Sequence, residues 1–413
     1  MGSSAFVQNM FRRYYAEDCN IQDFMMATEK REFGFVLFKG GMLRHKNFKD
    51  QRELALFLKS YVPSDAYYSC AYYEDPEAEM DTKGWLGADL IFDIDADHIP
   101  TSCSKVHDEW TCAKCGFAGK GVVPEKCPIC NSERFDETTW ACEVCLASAK
   151  AETIKLLDML IQDFGFSKDE IRVSFSGHRG YHVHVENEAV KTLDTVSRKE
   201  IVDYVYGLGL DTGFASSNEK APSKAGFPTS PRLNDSGWRK RLARGMYDFI
   251  LHAQKEDYGN IGLDKKTIET LMKNKNGILR SWDDVGPYRA VRNVGFETWR
   301  RIVTSCVESL TAHVDTVVTT DIHRLIRLAG TLHGKTGLKK VDFPIPELES
   351  FDPFKSAVAF KKGTVTVFVS SAPEFRLGDE TFGPYEKCKV ELPTAAAILL
   401  IRRDRAEVVE KNV

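Results

Sequence analysis

Residues 88–97 read Ala-Asp-Leu-Ile-Phe-Asp-Ile-Asp-Ala-Asp, an apolar strand that becomes acidic at its far end. Alternate side chains of a β-strand point to the same face, so Asp93 and Asp95 share one side. Carboxylate oxygens are the ligands that Mg²⁺ and Mn²⁺ prefer. A third acid from elsewhere would complete a two-metal site for phosphoryl transfer. Asp97 shares this side only if the strand continues, and we interpret it as a turn residue.

A second polar segment, residues 176–184, reads Ser-Gly-His-Arg-Gly-Tyr-His-Val-His. Its two glycines allow the backbone to approach a ligand closely. Four side chains could gather around phosphate oxygens: Ser176, His178, Arg179 and His182. The guanidinium of Arg179 offers a planar fork that matches phosphate. The alternative is a polar hairpin with solvated histidines, but the acidic strand elsewhere in the chain favours phosphate.

Residues 315–336 contain two candidates for the third carboxylate, Asp315 and Asp321. Helical spacing predicts a helix over 322–328 with Asp321 as its N-cap, which leaves Asp315 to bind metal. The basic residues of this segment that could face a phosphate are Arg324, Arg327, His333 and Lys335. The alternative for these basic residues is that they are simply solvated.

Seven of the eleven cysteines lie between Cys103 and Cys145, mostly as CxxC pairs. In a chain that we expect to be intracellular, this pattern favours metal over disulfides or free thiols. The candidate ligands are Cys103, His107, Cys112, Cys115, Cys127, Cys130, Cys142 and Cys145. Eight ligands suffice for two closed, structural zinc sites. The spacing leaves two pairings open, a nested one and a sequential one that divides the set between Cys115 and Cys127.

The bulk composition is that of a globular chain with two or more domains: 413 residues, 43% hydrophobic and 28% charged. A net charge of −4 provides no overall basic field, although a local basic groove would suffice for nucleic acid. The N-terminus has no apolar signal core, and the apolar run 395–401 is too short to span a bilayer. These features predict an intracellular protein.

The hydrophobic patterning predicts a mixed α/β fold that positions these segments. The predicted strands cover 34–39, 89–95, 171–175, 181–185 and 363–369. The predicted helices cover 53–61, 147–164, 198–208, 239–255, 265–275 and 394–409. A Ser/Pro/Gly-rich run over 215–237 is predicted to be a loop.

Together and in this order, the three polar segments resemble the catalytic small subunit of archaeal and eukaryotic DNA primases, most closely the archaeal type. The resemblance is carried by Phe-Asp-Ile-Asp at 92–95, by Ser-Gly-His-Arg-Gly-Tyr-His at 176–182, and by Asp315 with residues 318–335. It implies an α/β (α+β mixed) fold: an archaeo-eukaryotic primase catalytic core, a zinc-binding module and a helical subdomain.

The resemblance also implies roles for individual residues. Asp93, Asp95 and Asp315 would hold two Mg²⁺ or Mn²⁺ ions as the catalytic carboxylates. The nucleotide-binding residues would be Ser176, His178, Arg179, His182, Arg327, His333 and Lys335. His178 is a departure, because many relatives have a second arginine there. The family's single zinc knuckle matches Cys103, His107, Cys142 and Cys145. The inner four, Cys112, Cys115, Cys127 and Cys130, then resemble an inserted second zinc ribbon, which favours the nested pairing.

By the same resemblance, the catalytic core would comprise 1–102, 146–190 and 305–413, the zinc module 103–145 and the helical subdomain 191–304. The implied activity is that of a DNA primase, a DNA-directed RNA polymerase that makes short primers during replication. The implied partners are a primase large subunit in a heterodimer, single-stranded DNA template, an RNA/DNA primer and nucleoside triphosphates, with no membrane. The implied location is the cytoplasm of an archaeal cell, or the nucleus of a eukaryotic one.

Two other functions are compatible with parts of this pattern. A primase-like polymerase of repair or of a mobile element would use the same chemistry, usually with fused helicase or ligase segments that these 413 residues do not contain. A non-enzymatic zinc-ribbon protein that binds nucleic acid would not need the three acids and the basic turn in this order. For a template groove, the candidate basic clusters are 239–244 and 339–340.

Overall fold

The computed structural model describes residues 2–21, 27–103, 105–140, 142–210 and 229–409. The strands, in chain order, are β1 (Phe33–Val36), β2 (Met42–Lys46), β3 (Asp65–Ser69), β4 (Ala71–Tyr73), β5 (Trp85–Ala88), β6 (Leu90–Asp95), β7 (Glu109–Cys112), β8 (Ala118–Lys120), β9 (Phe135–Thr138), β10 (Ile171–Phe175), β11 (Gly180–Val185), β12 (Leu325–Arg327), β13 (Val341–Phe343), β14 (Thr364–Ala372), β15 (Phe375–Leu377), β16 (Glu380–Phe382), β17 (Tyr385–Pro393) and β18 (Ala406–Val408).

The helices are α1 (Ser3–Glu17), α2 (Gln51–Tyr61), α3 (Glu143–Gln162), α4 (Glu188–Lys191), α5 (Thr195–Val205), α6 (Gly237–His252), α7 (Lys255–Asn260), α8 (Lys265–Arg280), α9 (Pro287–Ala290), α10 (Phe296–Leu310), α11 (Thr316–Thr320), α12 (Pro353–Ser356) and α13 (Thr394–Arg402). The predicted mixed α/β class is therefore confirmed. Residues 215–228 of the predicted loop lie outside the described residues. No helix in the described ranges is long and apolar enough to cross a membrane.

The chain divides into two compact units. The first contains residues 1–154, 166–199 and 314–413, and the second contains 155–165 and 200–313. The second unit is helical, and its core buries Met246 of α6, Leu271 of α8 and Trp299 of α10. The resemblance implies a helical subdomain over 191–304. The main part of the second unit, 200–313, lies about ten residues later at each end, and the unit also includes 155–165.

The first unit is built on two four-stranded antiparallel sheets, with strand orders β12-β3-β1-β2 and β13-β10-β11-β6. A three-stranded sheet, β17-β14-β18, and two small pairs, β4-β5 and β15-β16, complete it. The cysteine-rich segment forms its own three-stranded sheet, β8-β7-β9.

The pairing of β6 with β11 brings the first two polar segments together. Phe92 is paired with Val183, and both are fully buried on one face of the sheet. The next pair along the strands is Asp93 with His182. Because successive strand residues alternate between faces, this pair lies on the opposite face of the sheet. The strands meet closely at Gly180, where a Cβ atom would lie 2.1 Å from the carbonyl oxygen of Ile94. Glycine is therefore required at the start of β11.

The helix predicted over 322–328 is wrong. Residues 325–327 form β12, which pairs antiparallel with β3, and the amide of Leu328 continues this pairing by donating to the Ala66 carbonyl at 2.8 Å. The open edge of β3 satisfies these backbone groups, so sheet pairing overrides the helical spacing. Asp321 consequently caps no such helix. It follows α11, and its carboxylate accepts the amide of His323 at 2.9 Å.

The helix predicted over 394–409 is correct only in its first part. It ends at Arg402, Asp404 adopts a left-handed conformation (φ 56°), and residues 406–408 form β18 against β14. A residue in the left-handed conformation terminates a helix. Here it also turns the chain back, so that residues 406–408 pair with the sheet.

Candidate active site

Three aspartates lie near one another at the C-terminal end of β6. Asp93 and Asp95 lie on the same face of the strand, as their spacing predicts. The backbone amide of Asp315 donates to the backbone carbonyl of Asp93 at 2.8 Å, which holds the third acid at the free edge of β6. Asp315 is also the N-cap of α11, where its Oδ1 accepts the amides of Val317 (2.8 Å) and Val318 (3.2 Å). The structure therefore brings Asp315 to the pair.

The charges of these acids influence one another. Burial, followed by the negative charges of Asp95 and Asp315, raises the pKa of Asp93 to about 7. Arg324 and Lys340 oppose this effect. Divalent cations would offset such repulsion, so the carboxylates suit Mg²⁺ or Mn²⁺. In the described part of the chain, two groups of potential metal ligands have all their ligand atoms within 4.8 Å of one another, and both are cysteine-rich. The three aspartates do not form such a group, so their carboxylate oxygens are more widely spaced than those ligand atoms.

A polar cleft extends from the carboxylates. Its lining residues are Tyr67, Ile91, Asp93, Asp95, Ser176, His178, His182, Val318, Arg324, Leu325, Ile326, Arg327 and His333. His182 Nε2 lies 3.5 Å from Asp93 Oδ1. Burial and nearby cations hold the pKa of His182 well below its usual value, so the ring is neutral at pH 7. The cleft thus joins the acidic strand to the basic turn and to β12.

Ser176 closes the turn that leads into β11. Its Oγ accepts the amides of His178 at 3.2 Å and Gly180 at 3.3 Å. Gly177, between them, has a left-handed backbone (φ 84°) that favours glycine. Because Oγ accepts from the turn, its own proton can still be donated to an acceptor in the cleft.

Two histidines stack at the side of the cleft. The rings of His178 and His333 are 4.9 Å apart and nearly parallel, at 11°. Burial and surrounding cations hold the pKa of both rings well below the usual value. His178 Nε2 lies 2.7 Å from Arg403 Nη2, and because arginine can only donate, the neutral His178 ring carries its proton on Nδ1. Arg403 lies in no recognisable motif, and sequence reasoning missed it.

Arg327 is oriented by a residue that the sequence did not point to. Asp65 Oδ1 accepts from Arg327 Nη1 at 2.6 Å and from the amide of Gly334 at 2.9 Å. Tyr67 accepts a further bond from Arg327 at 3.2 Å. A Cβ at Gly334 would lie 2.3 Å from Asp65 Oδ2, so a larger residue there would have to displace the carboxylate that holds Arg327. Asp65 therefore ties β12 to the loop that carries Lys335.

Several predicted residues lie elsewhere. Arg179 does not line the cleft: it is fully buried and faces Asp97 and Asp108. Lys335 is exposed beside the stacked histidines. Two template-groove candidates are engaged within the protein, since Arg241 pairs with Asp158 at 2.7 Å in the second unit and Lys340 is 1% exposed in the first unit.

The cysteine-rich segment forms two ligand clusters in the nested pairing. The first cluster, Cys103, His107, Cys142 and Cys145, and the second cluster, Cys112, Cys115, Cys127 and Cys130, each have ligand atoms within 4.8 Å of one another. In the first, Cys145 Sγ lies 3.4 Å from His107 Nε2. In the second, Cys115 Sγ lies 3.6 Å from Cys127 Sγ. Tetrahedral zinc with Zn–S bonds of about 2.3 Å requires similar separations, so each cluster could bind zinc.

A family profile described as the DNA primase small subunit matches residues 135–345. The DNA primase small subunit PriS of Nitrosopumilus maritimus is 31% identical over 403 residues, covering 98% of both chains. This chain belongs to the DNA primase small subunit family. The PriS proteins of Methanothrix thermoacetophila (33% identical; 98% of this chain and 99% of the relative) and Methanococcoides burtonii (35%; 92% of each) are also similar. Membership in the DNA primase small subunit family makes the chain a primase-type enzyme.

Proposed function

We propose that this chain is the catalytic subunit of a DNA primase, which joins nucleoside triphosphates into short primers on single-stranded DNA during replication. The observation that carries the proposal is that Asp93 and Asp95 line one cleft together with neutral histidines, a serine and arginines, while the amide of Asp315 bonds to the carbonyl of Asp93. The carboxylates suit divalent cations, and the remaining side chains suit a triphosphate.

Two Mg²⁺ or Mn²⁺ ions bound by the three carboxylates would lower the pKa of the primer 3′-hydroxyl and neutralise charge on the reacting phosphates. The chain's own residues supply the rest. Ser176 can donate its hydroxyl proton, and neutral His178 can donate from Nδ1, to phosphate oxygens. Arg327, held by Asp65, presents a fixed positive charge without having to be ordered at each turnover.

The proposal includes two structural zinc ions, one in each cysteine-rich cluster. It also includes a heterodimer with a primase large subunit, single-stranded DNA template, a primer and nucleoside triphosphates as partners. Arg179 is omitted from the nucleotide-binding set, because its guanidinium faces carboxylates away from the cleft. A primase-like polymerase of repair or of a mobile element would share this chemistry and would differ in its cellular role.

The proposal is tested by incorporation of labelled nucleotides on single-stranded DNA with Mg²⁺ or Mn²⁺. We expect product from the parent chain and a loss of product with Asp95→Ala, because the variant lacks one of the metal-binding carboxylates. Binding of single-stranded DNA, measured by fluorescence anisotropy, should remain. A parent chain that binds DNA but makes no product would instead support a non-enzymatic zinc-ribbon protein.

The binding of the divalent cation should depend on pH. A cation binds the ionised carboxylate and must displace the proton that Asp93 retains up to about pH 7. We therefore expect Mn²⁺ affinity to rise by about tenfold per pH unit below this value and to level off above it. Without the cation, the free energy of unfolding should fall as the pH rises towards about 7. The reason is that Asp93 binds its proton more tightly in the folded state than in the unfolded state.

Electron paramagnetic resonance of free Mn²⁺ would give the dissociation constant at each pH. Zinc content should be measured in parallel, since the zinc ligands also bind protons at low pH. A Mn²⁺ affinity that does not change between about pH 5 and about pH 7 would show that Asp93 is already ionised there.

A further inference from the structure

Arg179 is an enclosed charge near the proposed active site. Its side chain is 0% exposed, and Nη1 lies 2.8 Å from Asp97 Oδ1 and 2.9 Å from Asp108 Oδ2. Its Nη2 lies 3.9 Å from Cys145 Sγ of the first ligand cluster. Two carboxylates thus neutralise a guanidinium that has no exposed surface for a nucleotide.

Asp108 connects Arg179 to the first ligand cluster. One of its oxygens, Oδ1, accepts from His107 Nδ1 and from the amide of Trp140, both at 2.7 Å. The other oxygen accepts from Arg179. A carboxylate on the second nitrogen of a metal-binding histidine fixes the ring and its tautomer. His107 therefore presents Nε2 towards the cysteines while Asp108 holds it from behind.

Asp97 connects Arg179 to the catalytic strand. The amide of Asp97 donates to Asp95 Oδ1 at 2.9 Å, and the amide of Ala96 donates to the carbonyl of Arg179 at 3.2 Å. The turn after β6 is therefore held by both the backbone and the side chain of Arg179. The orientation of the Asp95 carboxylate depends on that turn.

We propose that Arg179 is a positioning residue that links the first zinc site to the catalytic carboxylates, through His107, Asp108, Asp97 and finally Asp95. In this arrangement the zinc knuckle helps to set the affinity of the active site for divalent cations. The inference rests on the proposed function, because it assigns Asp95 to cation binding. Loss of a hydrogen-bonded partner behind a metal ligand typically weakens metal binding by about 10- to 100-fold.

The test uses Arg179→Met, which keeps most of the side-chain volume and removes the charge. The matched control is Arg405→Met. It removes an ion pair of 2.6 Å to Glu109, which is adjacent to Asp108 in the same module, and it leaves the ion pairs of Arg179 with Asp97 and Asp108 in place. Both proteins are examined as full chains for zinc content, melting temperature, Mn²⁺ dissociation constant, and KM and kcat for nucleotide incorporation.

We expect Arg179→Met to weaken Mn²⁺ binding by at least about tenfold and to reduce kcat at fixed Mn²⁺. High Mn²⁺ should restore much of the loss, and Arg405→Met should resemble the parent. An unchanged Mn²⁺ affinity together with a raised nucleotide KM would overturn the inference, because it would show that Arg179 contacts the triphosphate. Equal weakening in both variants would overturn it too, by showing a general effect of loosening the module.

A second variant covers the case in which Arg179→Met fails to fold. Asp97→Asn leaves the Arg179–Asp108 pair in place and alters a side chain that is 33% exposed. It should weaken Mn²⁺ binding by several-fold with unchanged zinc content, and unchanged binding would overturn the inference. The proposed function itself fails if the parent chain binds no Mn²⁺, or if Asp95→Ala binds Mn²⁺ as well as the parent does. These measurements therefore distinguish failure of the proposed function from failure of the inference about Arg179.

Discussion

Asp315→Asn should lower nucleotide incorporation by about 10²- to 10³-fold, because it removes one carboxylate from the proposed metal site. Asparagine caps a helix as well as aspartate does, so α11 should be retained. The backbone bond from residue 315 to the carbonyl of Asp93 is also unaffected by the substitution. The variant therefore tests the charge of the side chain rather than the local structure.

Asp321→Asn is the matched control, since Asp321 directly follows the same short helix. Its carboxylate accepts the amide of His323 at 2.9 Å, and an asparagine oxygen can do the same. We expect this variant to retain most of the activity. Loss of activity in Asp321→Asn with retention in Asp315→Asn would identify Asp321 as the third carboxylate. The comparison requires incorporation assays at matched Mg²⁺ and Mn²⁺ concentrations.

The second large effect is expected from Cys145→Ala. Cys145 is fully buried in the first turn of α3 and lies beside Arg179. Structural zinc contributes about 10–16 kcal/mol of binding free energy that is available only to the folded site. The variant should lose one zinc per chain, lower the melting temperature by roughly 10 °C or more, and lose most of the incorporation activity.

Cys127→Ala provides the comparison in the second cluster. This ligand is equally buried, but its cluster belongs to the separate sheet β8-β7-β9. We expect it to lose one zinc and to unfold the ribbon locally while the core melts near the parental temperature. Elemental analysis of the parent should give two zincs per chain. A lower parental value would contradict the eight-ligand assignment, and identical behaviour of the two variants would contradict the separate roles of the clusters.

Short-range patterns were enough to predict which side chains share one strand face and which cysteines cluster in the candidate sites. Alternation along β6 places Asp93 and Asp95 on one face whatever else the chain does, because a strand has a two-residue repeat. The cysteine spacing indicates zinc because closely spaced thiols can bind one ion together. Strands 171–175 and 181–185 were predicted within one residue, since each is a short apolar or alternating run beside glycine.

The same local reasoning failed where the chain is shaped by distant partners. The spacing of Arg324 and Arg327 is compatible with a helix, yet β3 pairs with this segment from more than 250 residues away. Asp65, which orients Arg327 across 262 residues, lies in no motif. Hydrogen bonds across such separations carry no local periodicity, so they cannot be inferred from one sequence.

By itself, the sequence determined which chemical groups this protein has and the order in which they occur: paired acids, a Ser-Gly-His-Arg-Gly turn, a third acid and eight candidate zinc ligands. The tertiary structure decided which of them share a cleft. It placed Asp315 at the edge of β6 and directed Arg179 away from the cleft, towards Asp97 and Asp108. The physical reason is that a buried arginine must be neutralised by whichever carboxylates the fold brings to it, and only the packed chain specifies those.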